Sequence, residues 1–386
     1  MSNRPPIKTC VLGTGFGGLS FHIPFLLALP HLFTLHAVLE PSRSGKAHSR
    51  YASHMTDVKL YGNVEEVLND AEIELVVVTT PNETHYDLTR RALEAGKHVL
   101  VDKPVTATAQ QARELAALAK SKDVVLAAYQ NRRFEGDWFA LKRLLSLPSS
   151  HPQSIGNVWE YESRSCRHDR YRTFLKGTWK DHAAPGAGLV YDLGSHLIDQ
   201  ALVLFGRPNR LTAFIQNVRG IGDPNVDDCF TLYFHYNRVP HPLTVILRSH
   251  ILSVRAPQLR WLVRGTKGTY TKYGEDGQEG YIRAMSDPAQ MLEDKEYGRE
   301  KEKMWGTVEN MREDGEIATT TWPTEERGSY AGLYVNVADA IRNGAELAVK
   351  WEEATAVIEM IELAYLSQRE ERTVIVPPSV NADNNS

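Results

Sequence analysis

The chain is poor in cysteine: Cys10, Cys166 and Cys229 are its only three, far apart and without CxxC or Cys/His spacing. That excludes a disulfide framework and a thiolate zinc site as organising features and fits a reducing compartment. An excess of one charge is also lacking. Lys+Arg 44 against Asp+Glu 48 leaves a net charge of -4, with no long run of either sign. The electrostatic footprint of a nucleic-acid binder is therefore missing, and no nucleic-acid partner is expected. No window approaches the roughly 18 apolar residues that a membrane span requires, so no membrane partner is expected either. The start, MSNRPPIKTCVLGTG, enters a strand-like run without a charged-then-apolar leader, which predicts a cytoplasmic location. With 386 residues, 42% of them hydrophobic, the chain is long enough for two domains with separate cores.

What the chain does have, from residue 7 onward, is alternation. IKTCVLG, LHAVLE, ELVVVTTP, KHVLVDKP and VVLAAYQ are continuous apolar runs, the pattern of parallel strands covered on both faces. Between them EEVLND, HYDLTRRALEAG and ATAQQARELAALAKSKD have helical spacing, with Gly96 and the Thr106/Thr108 pair as stop and start signals. This predicts an α/β doubly wound parallel sheet over residues 1–130. The turn after the first strand carries Gly13, Gly15 and Gly18 in G-x-G-x-x-G spacing. Following a strand and opening a helix, it is placed to cradle a dinucleotide pyrophosphate. The second strand ends in Glu40, 22 residues after Gly18, where an acid accepts hydrogen bonds from the adenosine ribose. That favours NAD, whereas Arg43 close by could hold the 2′-phosphate of NADP. The cofactor is therefore NAD or NADP, with the choice open.

After YQNRRF the pattern changes. EGDWFALKRLLSL predicts one helix over 135–147. VWEYESRS, RLTAFIQNV, DDCFTLYFHY, HPLTVILRSH and LRWLVRGTKGTYTKY are turn-separated β-rich runs without intervening helices. The prediction for 131–378 is an α+β domain with an open, mostly antiparallel sheet. Residues 282–327 are polar and predict loop and short helix. SYAGLYVNVADAIRNG and WEEATAVIEMIELAYLSQREER predict two closing helices, and 379–386 a loose tail.

One helix stands out. In YDLGSHLIDQ and the ALVL that follows, the apolar positions Leu193, Leu197, Ala201 and Leu204 recur at helical spacing, and beside them run Asp192, His196 and Asp199. Imidazole titrates near neutral pH and suits a proton that must leave a hydroxyl as hydride departs, and a neighbouring carboxylate fixes its tautomer. Lys103, where the KHVLVDKP strand ends, sits at the sheet edge where doubly wound folds bind ligands and could stabilise an alkoxide. A structural reading competes for each: a satisfied His–Asp pair, and a surface lysine.

Together GTGFGGLSFHIPFL, TTPNETHYDLTRRALEAGKHVLVDKPVTAT, YQNRRFEGDW and GAGLVYDLGSHLIDQALVLFGRP resemble the glucose–fructose oxidoreductase/inositol dehydrogenase (Gfo/Idh/MocA) family. The likeness extends from the glycine turn to GSYAGLYVNVADAIRNG, and is greatest for the NADP-dependent scyllo-inositol dehydrogenase branch and its fungal relatives. It implies hydride transfer between NAD(P) and a sugar or inositol hydroxyl carbon, with Lys103, Asp192 and His196 catalytic and no metal. It implies that Gly13, Gly15, Phe16, Gly18, Glu40, Arg43, Thr80, Pro81, Asn82, His85, Asp102 and Lys103 surround the cofactor. Asn131, Arg132, Arg170 and Tyr171, with Asp192 and His196, would face the substrate, a sugar or cyclitol. A homodimer or higher homo-oligomer through the C-terminal sheet is implied as well. Asp102 departs from the usual Glu before Lys-Pro. Two other activities fit the same resemblance: a catalytically silent dinucleotide sensor like the fungal galactose-pathway corepressor, and a trans-dihydrodiol dehydrogenase. The complete Lys/Asp/His set favours an enzyme over a sensor.

Overall fold

The computed structural model describes residues 4–167 and 178–378. The chain folds into two compact units. The first comprises Met1–Glu135, Asp276–Arg299 and Arg327–Ile358, and the second Gly136–Glu275, Glu300–Glu326 and Glu359–Ser386. The segments 276–299 and 327–358, which composition alone placed after a single break at 130, thus pack with the first unit.

The first unit is built on a six-stranded parallel sheet of order β3-β2-β1-β4-β5-β6. Its strands are β1 (Ile7–Leu12), β2 (Phe33–Leu39), β3 (Lys59–Tyr61), β4 (Leu75–Val78), β5 (His98–Asp102) and β6 (Leu126–Tyr129). All four residues of β4 and the central three of β5 are buried, as continuous apolar runs demand of strands covered on both faces. β3 is a three-residue edge strand, too short and too exposed to leave a hydrophobic trace. The helices are α1 (Ile23–Ala28), α2 (Lys46–Arg50), α3 (Val64–Asn69), α4 (His85–Glu94) and α5 (Ala109–Lys122). Reciprocal capping boxes open α3, between Asn63 and Glu66, and α5, between Thr108 and Gln111.

The second unit begins with α6 (Gly136–Leu145) and carries a nine-stranded sheet of order β14-β13-β12-β11-β7-β10-β9-β8-β15. Its strands are β7 (Val158–Arg164), β8 (Arg210–Gln216), β9 (Cys229–Tyr236), β10 (Leu243–His250), β11 (Leu259–Gly265), β12 (Gly268–Tyr273), β13 (Gly306–Met311), β14 (Ile317–Trp322) and β15 (Val374–Ile375). Neighbours are antiparallel except β7 and β10, which makes the sheet mixed. Burial alternates strictly along β9 and β10, the period-2 signature of a sheet with one covered face. The covered side is not wholly apolar. Arg260 and Asp137 are fully buried with Nε and Oδ2 3.5 Å apart, and Lys272 Nζ lies 2.5 Å from Glu300 Oε1. Such pairs survive burial only because each charge has its partner. α7 (Ser195–Phe205) carries the His196 stripe.

The stretch 282–327 corrects the expectation of loop and short helix. It contains the end of α8 (Gln278–Ala284), short 3₁₀ turns, and the hairpin β13–β14. Most hairpin residues outside the inward-facing Gly306, Val308 and Trp322 are partly or fully exposed, so no apolar run announced the strands. The turn did. Asp314-Gly315 follows β13, Gly315 has φ +85°, and Arg312 N–H donates to Glu316 O at 2.8 Å.

The chain ends in α9 (Ala331–Asn343) and α10 (Trp351–Glu370). α9 belongs to the first unit because its apolar face fits there: Tyr334 is wholly buried, with its ring 5.8 Å from Phe25 and 5.6 Å from Phe33. Trp351 Nε1 donates to Ala112 O at 2.8 Å in the same unit. Among the described residues no helix is long and apolar enough to cross a membrane.

Candidate active site

In the first unit the glycine-rich turn joins β1 to a helix that runs as a π-turn over Gly18–His22 and continues as α1. Its glycines have different reasons to be there. A Cβ on Gly18 would lie 2.0 Å from Gly13 O, so the fold itself requires glycine at that position. A Cβ on Gly15 would meet nothing within 4 Å. No neighbour forbids a side chain at Gly15. The open space leaves the backbone accessible, the fit expected of a dinucleotide seat. Phe16 is exposed beside it, with the Arg283 guanidinium over its ring at 5.5 Å.

Glu40 is 3% exposed and organises its own loop. Oε1 accepts from the Ser42 hydroxyl at 3.0 Å and from Ser44, and Oε2 from Lys46 N–H at 3.1 Å. Burial pushes this carboxyl up, but the hydrogen bonds from Ser44, Ser42, Lys46 and Thr14 together bring it below its ordinary value. Arg43, at φ +48°, turns its guanidinium to Glu66 Oε1 at 2.6 Å on the surface. Thr80 Oγ1 lies 2.6 Å from Thr84 Oγ1, and Pro81 precedes a 3₁₀ turn that begins with Asn82. His85, read as a cofactor-loop residue, is buried with Nδ1 2.8 Å from Pro104 O and Nε2 2.9 Å from Thr80 O. Burial holds its pKa down, and neutral imidazole donates through one nitrogen at a time. In this position His85 clips the loop after β4 to the one after Lys103.

Lys103 follows the last residue of β5, and its backbone N–H donates to Asp102 Oδ1 at 2.7 Å. Burial pushes Asp102 up, while the neighbouring His22 and the Lys103 ammonium outweigh it, leaving the carboxyl below its ordinary range. Asn131 is buried at the start of a 3₁₀ turn. Arg132 Nη1 sits 3.4 Å from Glu135 Oε1, which also accepts from the Tyr330 hydroxyl at 3.0 Å. His36, Asp70 and Glu72 have the composition of a metal site. Their carboxylates are already neutralised: Asp70 by Lys59 at 2.8 Å, Glu72 by Lys8.

In the second unit YDLGSHLIDQ begins not as an α-helix but as a π-turn over Val190–Gly194, with α7 starting at Ser195. The wider turn changes the spacing between Asp192 and His196 from that of a regular helix, and such insertions are frequent at functional sites. His196 is 7% exposed and Asp199 is buried. Asp192 is 22% exposed at its side chain and lies 3.4 Å from Lys180 Nζ. Lys180 went unnoticed in the sequence; the signal available was its place in TWKD, shortly before the Gly/Ala/Pro segment that leads into this helix. Its ammonium also lies 5.4 Å from the Trp179 ring.

Asp227 was equally unannounced. Oδ2 accepts from Val190 N–H at 2.9 Å, its carbonyl from Leu189 N–H at 3.0 Å, and Oδ1 from the Tyr365 hydroxyl at 2.6 Å. It thereby anchors the entry to the π-turn. Burial raises the Asp227 pKa despite these bonds. Arg170 and Tyr171 lie outside the described residues.

Residues 7–130 match an oxidoreductase family with an NAD-binding Rossmann fold, and residues 152–376 match that family's C-terminal alpha/beta domain. An uncharacterized oxidoreductase of Schizosaccharomyces pombe is 39% identical over 379 residues, 96% of this chain and 98% of its own. The scyllo-inositol 2-dehydrogenase (NADP(+)) of Bacillus subtilis is 34% identical over 370 residues, 96% of each chain. A solved Bacillus subtilis oxidoreductase superposes with a TM-score of 0.85 at 34% identity, covering 97% of this chain and 99% of that one. The protein is an oxidoreductase of the Gfo/Idh/MocA family, with an NAD-binding Rossmann domain followed by the family's C-terminal alpha/beta domain.

Proposed function

We propose that this oxidoreductase is an NAD(P)-dependent dehydrogenase that moves hydride between the nicotinamide and a CH–OH carbon of a sugar or inositol. When bound, the nicotinamide accepts or returns the hydride. His196 takes the hydroxyl proton in oxidation and returns it in reduction. Asp192 orients the imidazole and stabilises its charged form. Lys103 places positive charge against the alkoxide as it develops. Asn131 and Arg132 hold substrate hydroxyls.

The observation that carries this reading is the ion pair of Asp192 with Lys180 on the turn that leads into His196, which supports a carboxylate held four positions before the imidazole. The Bacillus subtilis relative's activity supports scyllo-inositol as the first substrate to try, with NADP as the first cofactor. We further propose a cytoplasmic homodimer that covers the open face of the nine-stranded sheet, where Phe214 and Tyr233 stand partly exposed with rings 6.3 Å apart.

The test is purified protein against a panel of inositols, monosaccharides and trans-dihydrodiols, with NAD and NADP run separately. Reduction of either cofactor by a polyol supports the proposal. Dinucleotide binding with no turnover anywhere on the panel would overturn it in favour of a dinucleotide sensor. Gly15→Val provides the control on the seat: dinucleotide titration should lose its signal, while the melting temperature holds, since the fold leaves room there.

A further inference from the structure

The first unit holds a second imidazole–carboxylate pair that the chemistry above does not use. His22 closes the π-turn after the glycine-rich loop, and its ring is fully buried. Nδ1 lies 2.7 Å from the Tyr334 hydroxyl and Nε2 lies 3.3 Å from Asp102 Oδ2. The pattern selects one arrangement of protons. A buried phenol stays protonated and has a hydrogen to give; with it donated to Nδ1, the ring carries its own hydrogen on Nε2, the nitrogen that lies 3.3 Å from the carboxylate. The opposite tautomer would set a lone pair against a carboxylate.

Asp102 is where the segments converge. Thr79 at the end of β4 brings Oγ1 within 3.3 Å of Oδ2, and Lys103 N–H donates to Oδ1 at 2.7 Å. A Cβ on Gly17, inside the dinucleotide turn, would come within 3.1 Å of Oδ2, so the turn rests directly on this carboxylate. One carboxylate thus links the opening turn, β4, β5 and, through His22, helix α9.

We propose that His22, backed by Tyr334, is a positioning residue that fixes Asp102 and through it the backbone of Lys103, coupling the dinucleotide turn to the lysine at the end of β5. The inference rests on the dehydrogenase reading for what Lys103 does, but not for where it is held. Misplacing a catalytic group by about an ångström from a distance costs up to roughly a hundredfold in rate.

Three variants test it. His22→Phe keeps the ring volume and removes both polar contacts: kcat should fall by ~10-fold to ~100-fold, with KM and the dinucleotide dissociation constant within about threefold of wild type. His22→Gln restores a donor toward Asp102 and should recover part of that loss. Tyr334→Phe deletes one oxygen and should cost about threefold to tenfold in kcat. A readout independent of turnover is acetylation of Lys103 by acetic anhydride, followed by mass spectrometry with and without dinucleotide. In wild type the dinucleotide should protect Lys103, and in His22→Phe protection should weaken although dinucleotide still binds.

A folded His22→Phe with wild-type kcat and wild-type protection overturns the proposal. If His22→Phe fails to fold, Tyr334→Phe decides, and unchanged kcat and labelling there overturn it equally. If wild type turns over nothing on the panel, the dehydrogenase reading fails, and the labelling comparison alone decides whether His22 positions Lys103.

Discussion

Among the described residues one histidine closes a π-turn in the first unit and another follows a π-turn in the second. His22 and Asp102 lie 80 positions apart in sequence, and the ring is buried between the carboxylate and a tyrosine hydroxyl of its own unit. His196 and Asp192 are four positions apart on one turn, with Asp192 partly exposed and facing Lys180. The same two side chains therefore serve different ends. A fully buried ring set between polar groups of its own unit can transmit position. His196, 7% exposed and four positions after Asp192, is the ring proposed to exchange a proton with substrate.

The largest effect that would break this contrast belongs to His196→Ala. Removing a general acid–base should lower kcat by ~10²-fold to ~10⁴-fold, with the dinucleotide dissociation constant unchanged by fluorescence titration. Should His22→Phe cost as much as His196→Ala, the division into a positioning pair and a proton-carrying pair would fall.

Lys180→Met sharpens the same comparison at smaller scale. A partly exposed ion pair is worth about 1 kcal/mol or less, so kcat/KM should drop about twofold to fivefold. The drop should shrink as salt is raised, because screening weakens the pair already in the parent protein.

The smallest effects are in stability. Asp102 is held below its ordinary value, so the stability it contributes is present above its unfolded pKa of about 4 and is lost as pH falls through the folded value. Asp227 is raised, so the folded state keeps a proton the unfolded chain has released, and stability declines as pH rises from the unfolded value through the folded one. Asp102→Asn should lower the melting temperature at pH 7 by a few degrees and converge on wild type as pH falls below the ordinary carboxylate range. Asp227→Asn should instead flatten the decline above about pH 4. Melting curves across pH 3–8 separate the two.

Much of this molecule was legible in order of residues. The parallel strands declared themselves as unbroken apolar runs, α3 by its helical spacing and α5 by its capping threonine. The glycine spacing marked the dinucleotide turn, and the Asp192/His196 stripe marked the helix worth watching. Other features left weak traces. The β13–β14 hairpin showed only in Asp314-Gly315, because its exposed strands lack alternation. His85 matched a cofactor-loop position, and its buried ring lies between two backbone carbonyls, of which a neutral imidazole can donate to one. Lys180 and Asp227 carried no periodic signal at all, since each acts on the π-turn from a loop.

The sequence by itself determined the nature of the first sheet, the dinucleotide turn and the helix bearing His196, because period, glycine spacing and capping are local properties that a few neighbouring residues settle. Tertiary structure alone decided that α8 and α9 belong with the dinucleotide-binding unit, and that a tyrosine 312 residues from His22 selects its tautomer. Such contacts depend on which apolar face finds room against which core. That choice is made by packing over the whole unit, and no short window of sequence contains it.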